Sequence, residues 1–178
     1  MCIRDSFRNG IFFLASSNTN GGGTVNAFNF GQAGDIPTAG DWNADGKAEV
    51  GIFRSGNFFL ASSNTPGGGT VNAFNFGQAG DIPVAGDWNG DGTTTVGIFR
   101  NGLFVLASHN FWGGGLPTYI IFGQAGDVPV TGDWNADGKT EVGIFRNGVV
   151  YQASSTGALN NYFYYGMTND LPIGGYFG

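Results

Sequence analysis

Gly40-Asp41-Trp42-Asn43-Ala44-Asp45-Gly46-Lys47-Ala48-Glu49 returns as Gly86-Asp87-Trp88-Asn89-Gly90-Asp91-Gly92-Thr93-Thr94-Thr95. It returns again as Gly132-Asp133-Trp134-Asn135-Ala136-Asp137-Gly138-Lys139-Thr140-Glu141, with a spacing of 46 residues each time. A period in the forties is the mark of stacked supersecondary units, each too small to bury a core alone. Counting from the aspartate, oxygen-bearing side chains occupy loop positions 1, 3 and 5, and a glycine occupies position 6. Position 9 is Glu in two copies and Thr in one. A short loop wraps side-chain oxygens around one hard cation in this way, with the glycine permitting the sharp turn. The bland alternative is an Asx-type turn whose aspartates cap backbone amides without metal. Three phased copies favour calcium, at about three sites.

The repeat extends outward from these loops. Phe30-Gly31-Gln32-Ala33-Gly34-Asp35 recurs at 76–81 and 122–127, with a degraded copy at 165–170. Val50-Gly51-Ile52-Phe53-Arg54 recurs at 96–100 and 142–146. Units 31–76 and 77–122 are identical at 29 of 46 positions. Within unit 31–76 the spacing predicts four strands, at 36–40, 48–54, 57–62 and 70–76. Their connectors are the Asp-Gly loop, Ser55-Gly56 and Asn64-Thr65-Pro66-Gly67-Gly68-Gly69, all of turn composition. Ile52-Phe53 and Phe58-Phe59-Leu60 are apolar at consecutive positions, so both faces of the sheet are expected to be covered. Four short strands sandwiched between copies of themselves make a propeller blade. No window has a helical period. The expected fold is an all-β propeller of four-stranded antiparallel blades, about 46 residues each.

Met1 to Ser6 matches nothing at the corresponding phase one unit later and resembles a translated sequencing adapter, so it is set aside from fold reasoning. The domain reading is a non-native segment 1–6 followed by a single repeat domain 7–178. That domain comprises a partial blade 7–30, repeats 31–76, 77–122 and 123–165, and a partial blade 166–178. The chain then reads as a fragment entering mid-repeat, and an incomplete propeller. Its ends would complement each other in a closed four-bladed ring, but the severed look of the N-terminal end favours an open arc of a larger ring.

The chain carries 13 acidic and 7 basic residues, a formal charge of −6, and its only cysteine is Cys2. Eight of the acids lie in the three loops, and three divalent cations would cancel the net charge. Such crowding is repulsive without a counter-charge. The basic residues are dispersed, which excludes a nucleic-acid footprint. No apolar run approaches the length of a membrane span. A sole internal cysteine count of zero beyond Cys2 rules out a disulfide framework within the repeats.

The Phe-Gly start, the Asp-x-Asn-x-Asp-Gly-x-x-Glu loop and the Val-Gly-Ile-Phe strand together resemble the FG-GAP/VCBS-type repeat, which is similar to blades of the integrin α-subunit head. The resemblance spans roughly residues 7–178. It implies a β-propeller with calcium in the hairpin between the first two strands of a blade. It further implies an extracellular or cell-surface setting and adhesion or carbohydrate-associated roles, with a protein or glycan partner. Carried over by position, Asp41, Asn43 and Asp45 give side-chain oxygens, Lys47 its carbonyl, and Glu49 closes the shell. The second loop offers Asp87, Asn89, Asp91 and the Thr93 carbonyl, with Thr95 where the acid should be, so this site is expected to be the weakest. The third offers Asp133, Asn135, Asp137, the Lys139 carbonyl and Glu141. The family pattern often has Asp at positions 3 and 9, where this chain has Asn and Glu or Thr.

Arg8, Arg54, Arg100 and Arg146 recur in phase and are expected to pair with phased acids such as Asp35 and Asp81 between neighbouring blades. Trp42, Trp88 and Trp134 are expected to pack the loops or blade edges. His109-Asn110-Phe111-Trp112 breaks the pattern of Ser63-Asn64-Thr65-Pro66, and its His109, Phe111 and Trp112 form a candidate ligand-binding turn. His109 has no nucleophile motif around it, and no enzyme is expected. The functional expectation is a calcium-stabilised binding or adhesion module of a larger secreted or surface protein. The alternatives are a lectin-type propeller or an architectural domain beside a secreted enzyme.

Overall fold

The computed structural model describes residues 5–17 and 23–172. They form four antiparallel sheets set in a ring, the blades of a four-bladed β-propeller. Blade one holds β1 (Ser6–Arg8), β2 (Ile11–Ala15) and β3 (Val25–Asn29). Blade two holds β4 (Ile36–Gly40), β5 (Glu49–Arg54), β6 (Asn57–Ala61) and β7 (Val71–Asn75). Blade three holds β8 (Ile82–Gly86), β9 (Thr95–Arg100), β10 (Leu103–Leu106) and β11 (Thr118–Ile121). Blade four holds β12 (Val128–Gly132), β13 (Glu141–Arg146), β14 (Val149–Ala153) and β15 (Leu159–Tyr164). The strands expected in unit 31–76 are all present, each within a residue at either end. Among the described residues the only helical pieces are two 3-10 turns, Pro66–Gly68 and Trp112–Gly114.

Four sheets form the ring, where the sequence favoured an arc of a larger one. Blade one is the incomplete blade, with three strands among the described residues. The degraded motif copy Asp170-Leu171-Pro172, matching Asp35-Ile36-Pro37, would place its remaining strand near residues 171–175. Of these, Leu171 and Pro172 form no strand, and the rest lie outside the described residues. Within the segment set aside as non-native, Ser6 pairs with Phe13 and Asp5 Oδ1 accepts a hydrogen bond from Ala15 N at 2.8 Å.

The core lies between blades, and consecutive apolar residues explain how. Phe53, Phe58, Leu60, Phe74 and Phe76 of blade two pack on Val96, Ile98 and Ala107 of blade three. Phe12, Phe28 and Phe30 of blade one pack in the same way on Val50, Ile52 and Ala61 of blade two. Ile52 and Phe53 are neighbours in a strand, so their side chains point to opposite faces. The branched aliphatic joins the preceding blade and the phenylalanine joins the following one. Phe53 and Phe58 sit cross-strand with ring centroids 4.8 Å apart, and Phe58 is fully buried. Truncating a phenylalanine packed this well costs roughly 3–5 kcal/mol.

The Asp–Arg pairs form, but not where expected. Arg54 Nε and Nη2 donate to Asp35 Oδ1 and Oδ2 at 2.6 and 2.7 Å, and Arg100–Asp81 and Arg146–Asp127 repeat the fork. Both partners belong to one blade rather than to neighbours. The reason is register: Ile36 pairs with Phe53, so the residue before β4 lies beside the residue ending β5. The three aspartate side chains are 1% exposed and their arginines about a third exposed. Burial pushes the Asp35 carboxyl up, but hydrogen bonds from Arg54 and the Gln32 amide, with the Arg54 charge, hold it below the ordinary range.

The hairpin joining β5 to β6 turns at Ser55-Gly56, with φ of 48° and 89°. Two successive positive φ values make the tight turn whose twist matches that of the flanking strands. A Cβ at Gly56 would also lie 2.7 Å from Gly77 O, so only glycine fits.

Candidate metal centre

The three loops connect the first and second strands of blades two, three and four: residues 41–48, 87–94 and 133–140. The first is built by its own acids. Asp41 Oδ1 and Oδ2 accept from the amides of Asp45 and Gly46 at 3.1 and 2.7 Å. Asn43 Oδ1 accepts from Asp45 N at 2.9 Å, and Asp45 Oδ1 accepts from Lys47 N at 2.9 Å. The second loop repeats these bonds, with Asp87 accepting from Gly90, Asp91 and Gly92, Asn89 from Asp91, and Asp91 from Thr93. The third repeats them with Asp133 accepting from Asp137 and Gly138, Asn135 from Asp137, and Asp137 from Lys139. Positions 1, 3 and 5 therefore shape the turn in all three loops. A carboxylate oxygen has two lone pairs, so the Asp41, Asp45, Asp133 and Asp137 oxygens keep capacity for a cation, whereas Asp87 Oδ1 already accepts from both Gly90 and Asp91.

Position 9 separates the loops. Asp41, Asp45 and Glu49 each offer a carboxylate oxygen, and the three atoms lie within 4.8 Å of one another. Asp133, Asp137 and Glu141 form an equivalent group. Glu49 is 5% exposed, and its Oε2 is buried without a hydrogen-bond partner. Burial, then the charges of Asp45 and Asp41, pushes its carboxyl above the ordinary glutamate range. A buried carboxylate facing two others is costly unless a cation joins them. In the third loop Glu141 is better satisfied. Its Oε2 accepts from Trp134 N at 2.9 Å, and Asn135 Nδ2 donates to Glu141 Oε1 and Asp137 Oδ2 at 2.8 and 3.1 Å. Burial still leads the causes that push Glu141 up.

In the second loop Thr95 turns away. Its hydroxyl donates to Ala107 O at 2.9 Å, just past the end of β10. Asp91 instead takes a hydrogen bond from Asn89 Nδ2 at 2.9 Å, which leads the causes that lower its carboxyl. The all-oxygen donor sets of loops one and three suit calcium or magnesium rather than a softer metal. The second loop supplies two acids where the others supply three.

The tryptophans pack as expected. Trp42 and Trp88 lie against the clusters between blades two and three and between three and four, and Trp134 packs on the blade-four core. In the irregular turn, His109 and Phe111 stack with centroids 5.3 Å apart, and Trp112 is 77% exposed. The structure thus brings His109 and Phe111 together and leaves Trp112 projecting into solvent.

Two sets of residues escaped the sequence reading. Asn64 Oδ1 accepts from Val50 N and its Nδ2 donates to Ala48 O, bracketing Glu49 from both sides. Asn110 brackets Thr95 through Thr94 O and Val96 N. Thr94 and Thr140 bond to the preceding loop. Both sets recur at the 46-residue period, and that phase was the only signal in the sequence. No family model matches the chain, and no curated protein matches it.

Proposed function

We propose that this chain is a calcium-binding propeller module of the FG-GAP/VCBS type, serving protein or glycan binding in a larger secreted or surface protein. The observation that carries the reading is Glu49, whose Oε2 is buried and unpartnered and whose carboxylate joins those of Asp41 and Asp45 in a group of hard oxygen ligands. The phased motif supports the family, and the family's habits support the extracellular setting. No helix among the described residues is long and apolar enough to cross a membrane.

The test is thermal unfolding of the full chain by circular dichroism, in millimolar calcium and in chelator. At tenfold excess over its dissociation constant each occupied site adds roughly 1.4 kcal/mol. The expected result is a cooperative transition that rises with calcium and stops responding once Asp41, Asp87 and Asp133 are alanine. A cooperative melt indifferent to calcium would reduce the loops to plain turns.

A lectin role is the second reading, favoured by Trp112 and Phe111 exposed beside His109. Aromatic faces of this kind stack on sugar rings. Glycan-array binding that Trp112→Ala abolishes is the expected outcome, and an array without hits would set this reading aside.

A further inference from the structure

The first and second loops are each tied to the blade that follows, at the backbone of their first aspartate. Asp41 N donates to Thr94 Oγ1 at 3.1 Å, and Thr94 N donates to Asp41 O at 2.8 Å. Asp87 and Thr140 repeat the exchange at 3.0 and 2.8 Å. Both threonines hold the eighth position of the next loop, directly before its ninth-position residue. The glycine before each aspartate makes room for them. A Cβ at Gly40 would lie 2.4 Å from Thr94 Cγ2, and one at Gly86 would lie 2.6 Å from Thr140 Cγ2. At Gly132 the nearest atoms all belong to Trp134 of its own blade. Thr94 is itself anchored, since Asn110 Nδ2 donates to its carbonyl at 2.8 Å. The first loop has Ala48 at the eighth position, with no hydroxyl to offer.

We propose that Thr94 and Thr140 are positioning residues for the cation sites of the preceding loops, which couples the loops in series. The proposal rests on the calcium reading above. Asp41 is a ligand whose own amide and carbonyl are both held by one residue of the second loop. A cation shell is sensitive to small displacements of its ligands, and fixing the Asp41 backbone removes freedom that binding would otherwise have to remove. Ordering the second loop therefore tightens the first, against the mutual repulsion of two bound dications. The first and second sites have this brace, and among the described residues the third does not.

The experiment is calorimetric titration of the full chain with calcium chloride, with the second and third loops disabled as sites by Asp91→Asn and Asp137→Asn. Asparagine keeps an oxygen to accept the turn amide at each position. One site then remains, at Asp41, Asn43, Asp45 and Glu49. Thr94→Val is expected to weaken calcium binding there roughly fivefold, the effect of one lost neutral hydrogen bond. Thr94→Ser, which keeps the hydroxyl, is expected to restore it. An unchanged affinity in Thr94→Val, or a loss that Thr94→Ser shares, would overturn the brace while leaving the calcium reading intact. A Thr94-containing parent that takes up no calcium would remove both.

Discussion

The first and second loops share their backbone course and their turn hydrogen bonds, yet only the first gathers three carboxylates. Asp41 and Asp87, Asn43 and Asn89, and Asp45 and Asp91 do the same work on the same amides. Glu49 faces into its loop, whereas Thr95 bonds Ala107 O and leaves it. The turn and the carboxylate cluster are thus separable properties of one motif. Positions 1, 3 and 5 make the turn, and position 9 completes the cluster with positions 1 and 5.

The largest test of that separation removes the shared part. Asp41→Ala and Asp87→Ala each delete two or three amide acceptors, and each is expected to cost about 2 kcal/mol in chelator. Urea unfolding of both variants without calcium measures this. Equal losses support a metal-independent turn, and an Asp41→Ala loss seen only in calcium would break it.

Exchanging the ninth position comes next. Glu49→Gln is expected to stabilise the chelated protein by about 1 kcal/mol, because it removes a buried unpaired charge, and to abolish the first loop's calcium response. Thr95→Glu should do the reverse, costing about as much in chelator and adding a calcium response at the second loop. Paired melts of both variants read this directly, and the same sign for both would defeat the comparison.

A smaller effect lies in pH. The Glu49 and Glu141 carboxyls titrate above their ordinary value in the folded chain, so the folded state holds more protons than the unfolded one in that window. Stability in chelator should therefore rise by some tenths of a kcal/mol as pH falls from neutral toward the ordinary glutamate value. Asp35, held low, has the opposite sign: its contribution is present above the ordinary aspartate value and is lost as pH falls through its lowered one. Melting across pH 4–7 should lose the first trend in Glu49→Gln/Glu141→Gln, and melts extended below the ordinary aspartate value should keep the second. With calcium present the first trend should invert, since protons compete for the ligands.

The smallest concerns Asn135, whose amide nitrogen lies between Asp137 and Glu141. Asn135→Asp should tighten calcium binding at the third loop a few-fold and lower chelated stability by a few tenths of a kcal/mol. Terbium luminescence sensitised by Trp134 would follow the first effect.

The strands and the propeller were legible because the period and the consecutive apolar pairs agree. A strand reading Ile-Phe has no wet face, and a 46-residue unit has no other way to bury both. The turn chemistry of the loops was legible too, since Asp and Asn side chains accept from amides two to five residues away and Gly takes the positive φ of the turn. Contacts across strands were harder. The Arg54–Asp35 pair needed the register of β4 on β5, which spacing alone does not give. Thr94 was invisible because its partner, Asp41, is 53 residues earlier in the chain. Asn64 looked like one more polar residue in a glycine-rich turn, although both ends of its amide hold the strand that presents Glu49.

Three joints, between blades one and two, two and three, and three and four, press phenylalanines of one blade on branched aliphatics of the next, and the pieces are nearly interchangeable. The face of blade one that meets Ile52 would fit Ile98 or Ile144 as well. Chemistry therefore gives a blade no address; only the short tether to its neighbour, through a high local concentration, decides which blade it meets. In dilute solution the tether wins. In a crowded refolding mixture a blade from another molecule competes on equal terms, and strands of swapped propellers are the product the joint itself would favour.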